Sequence, residues 1–80
     1  MAKDQTREVC VEIVRLLTEE RKRQKISMNL LAAKAGLSQS LISGLEATPW
    51  NPTVGTLLRF ANALEVDLGK IITQAGKNVR

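Results

Sequence analysis

Residues 28–46 read MNLLAAKAGLSQSLISGLE. Ser27 precedes this stretch and suits an N-cap, because its hydroxyl can accept from an orphan N–H in the next turn. Leu31, Ala32 and Ala35 then fall on one side of a short helix over 28–35. Gly36 stands where a left-handed residue would end that helix. Ser38 is a second N-cap candidate, opening a helix over 39–46 with Ile42 and Leu45 inward. Ala32 is small where the two helices would cross. Two short helices joined by a tight turn at 36–38, burying Leu31, Ala35, Leu37, Ile42 and Leu45, form a helix-turn-helix.

The outward residues of the second of these helices are Gln39, Ser40, Ser43 and Gly44, with no charge before Glu46. A helix-turn-helix aims the start of its second helix into a DNA major groove. There an amide such as Gln39 can pair both edges of an adenine. The short residues Ser40, Ser43 and Gly44 let the backbone approach closely. Gly44 has a second reading, as a residue kept small for close helix packing.

The flanking sequence extends the helical pattern. Over 6–24, Val9, Cys10, Ile13, Val14, Leu16 and Leu17 form an apolar stripe, and Glu12–Arg15 and Glu19–Arg23 lie within pairing distance on the outer face. After the pair of short helices comes ATPWNP (47–52), a loop because Pro49 and Pro52 exclude a regular helix. Thr53 is placed as the cap of a fourth helix to Leu64, with Val54, Leu57, Leu58, Ala61 and Leu64 inward. Asp67 is placed as the cap of a fifth, carrying Leu68, Ile71 and Ile72 and ended by Gly76. Residues 77–80, KNVR, read as a frayed tail. The expected architecture is all-α, a single domain over residues 1–80.

Eighty residues with 44% apolar content support one small core. The net charge of +4 is concentrated: residues 21–64 hold Arg21, Lys22, Arg23, Lys25, Lys34 and Arg59 against Glu46 alone. A basic middle fits an anionic partner, with nucleic acid first, or a surface kept soluble by charge. Cys10 is the only cysteine, so these residues form no disulfide among themselves, and it reads as buried packing. With no histidine to activate it, it is not expected to be a nucleophile. No enzyme activity, metal, cofactor or small-molecule ligand is expected. The charged start MAKDQTREV lacks an apolar h-region, and no apolar run approaches the ~20 residues of a membrane span. A cytoplasmic location, associated with the nucleoid, is expected, with no membrane partner.

The segments RKRQKISMNLLAAKAGLSQSLISGLE (21–46) and NPTVGTLLRFANALEVDLGKII (51–72) resemble the lambda/434 repressor and Cro-like family of phage and bacterial regulators, the XRE family. The resemblance implies a five-helix bundle that binds operator DNA as a two-fold dimer. It places Gln39, Ser40, Ser43 and Gly44 where the recognition helix reads bases. Ser27 and Met28 fall at the start of the preceding helix, where backbone N–H groups and a side chain hold a phosphate. Asn51 falls where the strand backbone is contacted again. Arg21 and Glu46 match a basic–acidic pair tying the first helix to the end of the recognition helix. Since 38–52 contain no Lys or Arg, phosphate affinity falls to Lys22, Arg23, Lys25, Lys34 and backbone amides. Lys22 and Lys25 also fit cations that complement a helix C-terminus.

Trp50 reads as core, a DNA-backbone contact or a dimer anchor; the dimer is preferred, with Leu68 or Ile72 across the interface. The resulting expectation is a sequence-specific transcriptional regulator or repressor, acting as a homodimer by occupying an operator. A phage repressor, a restriction–modification controller and an antitoxin all fit this pattern. The competing reading is a helical protein-interaction module, antitoxin-like or an adaptor, with weak or no DNA binding.

Overall fold

The computed structural model describes residues 4–49 and 52–80. Five helices follow in order: α1 (Thr6–Arg23), α2 (Met28–Ala35), α3 (Gln39–Ala47), α4 (Val54–Ala63) and α5 (Leu68–Val79). Among the described residues there is no strand. No helix there is long and apolar enough to cross a membrane.

Four helix starts are set by side-chain caps. Ser27 Oγ accepts from Leu30 N at 3.1 Å and Ser38 Oγ from Leu41 N at 3.0 Å. Thr53 Oγ1 accepts from Thr56 N at 3.1 Å, and Asp67 Oδ1 from Gly69 N at 2.8 Å. Each oxygen satisfies one of the N–H groups that a first turn leaves without a helical partner.

Three helices end in one shared pattern. After α2, Leu37 N donates to Ala32 O and Gly36 N to Ala33 O, with Gly36 at φ +68°. After α1, Ile26 N donates to Arg21 O and Lys25 N to Lys22 O; after α4, Val66 N donates to Ala61 O and Glu65 N to Asn62 O. These are Schellman closures, in which one left-handed residue reverses the chain. Only α2 uses glycine for it. Lys25 (φ 60°) and Glu65 (φ 59°) take the same conformation with a Cβ. The residue after each is apolar and at least partly buried: Ile26, Leu37 and Val66.

Leu17, Leu31, Ile42, Phe60, Leu64 and Val14 are the largest fully buried side chains. α1 crosses the bundle and packs most extensively along α5, while α2 packs on α3 and α4. The inward residues expected of α2 and α3 are the ones buried.

α4 buries only part of its expected face. Periodicity assigns Val54 and Leu58 to the core, but they are 68% and 45% exposed; Leu57, Ala61 and Leu64 are buried as expected, and Phe60 joins them. The helix is turned so that its one aromatic ring fills the centre, which buries more apolar area than Leu58 would. α5 also differs. It runs through Gly76 to Val79, so 77–79 are helical and not a frayed tail. Ala75 packs fully buried in the core, and Asn78 Nδ2 donates to Glu12 Oε2 on α1 at 2.7 Å. Cys10 is half-buried at the edge of the α1 stripe, not fully buried.

On the outer face of α1, Arg15 pairs with both Glu12 and Glu19. Arg23 pairs with Glu20, not with Glu19. Arg15, with Asn78 assisting, holds the Glu12 carboxyl down at about 2. Arg23 and Gln24 hold Glu20 at about 2 as well. Hydrogen bonds to the charged carboxylate favour ionisation in both cases.

Candidate nucleic-acid interface

The turn between α2 and α3 favours its glycine. Gly36 is left-handed, and a Cβ there would lie 3.2 Å from Arg59 Nη1. The Arg59 guanidinium reaches over the turn to Gly36 O at 3.5 Å. Two caps, Ser27 and Ser38, then set where α2 and α3 begin, and Ile42 and Leu45 seat α3 on the core.

The far end of α3 is anchored to α1. Arg21 Nε donates to Glu46 Oε2 at 2.9 Å and Arg21 Nη2 to Glu46 Oε1 at 3.0 Å. The remaining arm, Nη1, donates to Ile26 O at 2.8 Å, in the loop that leads into α2. Both side chains are only 9% exposed. One guanidinium therefore fixes α1, the entry to α2 and the end of α3 together, using the planar fork that suits bidentate carboxylate pairing. At the same end Thr48 Oγ1 donates to Gly44 O at 2.9 Å and closes the last turn of α3.

This frame presents Gln39, Ser40, Ser43 and Gly44 to solvent. A Cβ built on Gly44 would meet nothing within 4 Å among the described residues, so Gly44 is not small for the sake of packing on a neighbouring helix. Met28, at the start of α2, stands beside Gln39: Gln39 Nε2 lies 4.0 Å from Met28 Sδ. Thioether sulfur is a weak acceptor, so this contact orients the amide lightly and leaves it able to turn to a base. Ser27, with its oxygen engaged as a cap, is exposed at the same helix start. Lys22 is exposed in the last turn of α1 and Lys25 just after it, with Lys25 the left-handed residue of the closure.

The expected contacts do not all converge. Asn51 and Trp50 lie outside the described residues. Leu68, assigned to a dimer interface, is 8% exposed and belongs to the core, whereas Ile72 is 43% exposed. The sequence left the placement of two residues open. Arg59, counted there only in the basic middle, is held over the α2–α3 turn, and only the left-handed Gly36 beneath it could have hinted at the approach. Leu41, third in α3, is 43% exposed. Its position one residue past the outward Ser40 was the available signal. With Ser40 and Gly44 it lines a groove of about 280 Å³ whose other wall is Pro52, Thr53 and Thr56.

Among the described residues no group of His, Cys, Asp or Glu is arranged to hold a metal ion. No curated protein and no solved structure matches the chain. A family profile described as helix-turn-helix matches residues 17–71, well over half of the chain and spanning every element of this interface. The chain belongs to the helix-turn-helix family of lambda-repressor and Cro-like, XRE-type DNA-binding regulatory domains.

Proposed function

We propose that this protein is a sequence-specific transcriptional regulator that acts inside the cell as a homodimer on an operator, a single domain over residues 1–80. The observation that carries this reading is the exposed, uncharged start of α3. Gln39, Ser40, Ser43 and Gly44 all face solvent on a helix pinned at its far end by the buried Arg21–Glu46 pair. A base-reading helix needs that combination of free hydrogen-bonding groups and a rigid mount. Ser27, Met28 and the amides at the start of α2 hold one phosphate. Lys22 and Lys25 supply charge at the rim, and Asn51 meets the backbone beyond the groove.

A two-fold dimer sets two copies of α3 in successive major grooves, about 34 Å apart. Regulation then follows from occupancy: a bound dimer denies the site to polymerase. Ile72 and the exposed Val54 and Leu58 supply apolar surface for the second copy, with Trp50 as its aromatic anchor. Leu68 supports that surface from beneath.

Selection from random duplex DNA, followed by affinity measured against salt, tests this reading. The selected duplex should bind with a log–log salt slope of about −0.9 per phosphate neutralised, and unrelated DNA should bind far more weakly. Binding that is absent, or that ignores sequence at every salt concentration, would favour the protein-interaction module instead.

A further inference from the structure

Leu41 stands out on α3. Its amide is capped by Ser38 Oγ, yet its side chain is 43% exposed beside two residues of the base-reading set. Leu41, Ser40 and Gly44 line one wall of the groove that runs between α3 and the start of α4. The space over Gly44 is open. The commonest major-groove contact, an Arg or Lys on guanine O6 and N7, has no donor here, because 38–52 contain neither residue. The start of α3 instead offers one amide, two hydroxyls, a bare backbone at Gly44 and one aliphatic side chain. The feature of a major groove that an aliphatic side chain recognises is the C5-methyl group of a pyrimidine.

Resting on the DNA-reading role proposed above, the geometry points to Leu41 as a specificity-determining residue that selects a C5-methylated pyrimidine. Its side chain covers the methyl group at the mouth of the groove, while the missing side chain at Gly44 lets the base edge come close. Gln39 reads an adenine and Leu41 a methyl, so the two together favour A·T pairs without any charged base contact. Thymine and 5-methylcytosine both present this methyl group.

The test starts from duplexes selected by the full chain from random DNA prepared with and without cytosine 5-methylation. In a selected duplex each thymine is replaced in turn by uracil and each 5-methylcytosine by cytosine, changes that remove the methyl and keep the pairing. Affinity is measured by fluorescence anisotropy for the wild type, Leu41→Ala and Leu41→Val. At one position the methyl deletion should weaken wild-type binding about fourfold, the scale of one buried methyl group. Leu41→Ala should bind the two duplexes equally, and Leu41→Val should keep part of the preference. Leu41→Ala should also melt close to wild type, since the cap bond uses its backbone. Whether T·A or 5-methylcytosine·G binds more tightly at that position identifies the natural source. A methyl preference that survives in Leu41→Ala, or that is absent in a wild type still selective for sequence, overturns the role of Leu41 and leaves DNA reading intact. No DNA binding at low salt would remove both.

Discussion

Arg21 and Glu46, 25 positions apart, form a bidentate ion pair with both side chains 9% exposed. Burial of this kind makes the pair costly to break from one side. Glu46→Ala should destabilise the domain by about 3–5 kcal/mol, because it strands a buried guanidinium. Replacing both residues together by apolar ones of similar volume should cost less than either single change. Chemical denaturation of the two single variants and the double variant gives the coupling energy. A value near zero would mean that the two charges are held independently.

Gln39 and Lys25 should fail in different ways. Gln39→Ala should cost about 1–3 kcal/mol at one base pair of the selected site and little on unrelated DNA. Lys25→Ala should weaken all DNA alike and reduce the salt slope by about one. Titrations of both variants on matched and mismatched duplexes over a salt series separate these outcomes. Uniform loss in both variants would reverse the assignment of base and phosphate roles.

The three helix closures predict opposite effects of glycine chemistry. Glu65→Gly should stabilise the fold by up to about 1 kcal/mol, because its left-handed backbone no longer carries a Cβ. Gly36→Ala should destabilise by about 1–2 kcal/mol, since the same backbone gains a Cβ and that atom lies 3.2 Å from Arg59 Nη1. Thermal melts of the two variants should shift in opposite directions.

Acid should loosen the ion pairs on the α1 face. Glu12 and Glu20 are held at about 2 in the folded chain, below their ordinary 4.5. A depressed carboxylate contributes stability that is fully present above about 4.5 and is lost as pH falls toward 2. With no histidine, the chain has no side chain that ordinarily titrates between pH 5 and 8. The melting temperature should therefore stay nearly flat from pH 8 to 5 and then fall. Glu12→Gln with Glu20→Gln should flatten part of that fall. An equally steep fall in the double variant would assign it to other carboxyls.

Ile72 and Leu68 separate association from folding. Ile72→Asp should convert the proposed dimer to monomer in sedimentation at less cost to the fold than a core truncation, since Ile72 is 43% exposed in one chain. Leu68→Ala should instead lower stability by about 2–5 kcal/mol as a core truncation. A dimer that persists in Ile72→Asp would move the interface to another face.

Four caps and the α2–α3 turn were legible in the residues alone, because each depends on groups two to five positions apart. A Ser, Thr or Asp ahead of an apolar pattern needs only its own next turn to form its bond. The buried sets of α2 and α3 were legible for a related reason: these helices are so short that few registers fit. The Arg21–Glu46 pair was visible only through family resemblance, and its bond to Ile26 O was not visible at all.

The tertiary structure decided the rest. Val54, Leu58 and Ile72 have the spacing of core residues but lie outside. Apolar periodicity marks a face wider than the core can cover, and the placement of Phe60 settles which edge is buried. Gly76 is a plausible stop by local propensity, but α5 continues because Ala75 is buried and Asn78 reaches Glu12, 66 positions away. Lys25 and Glu65 take a backbone that local preference assigns to glycine, since closing α1 and α4 there places Ile26 and Val66 against the core. Local chemistry determines where helices begin; the rotation of each helix and the point where it ends depend on long-range burial.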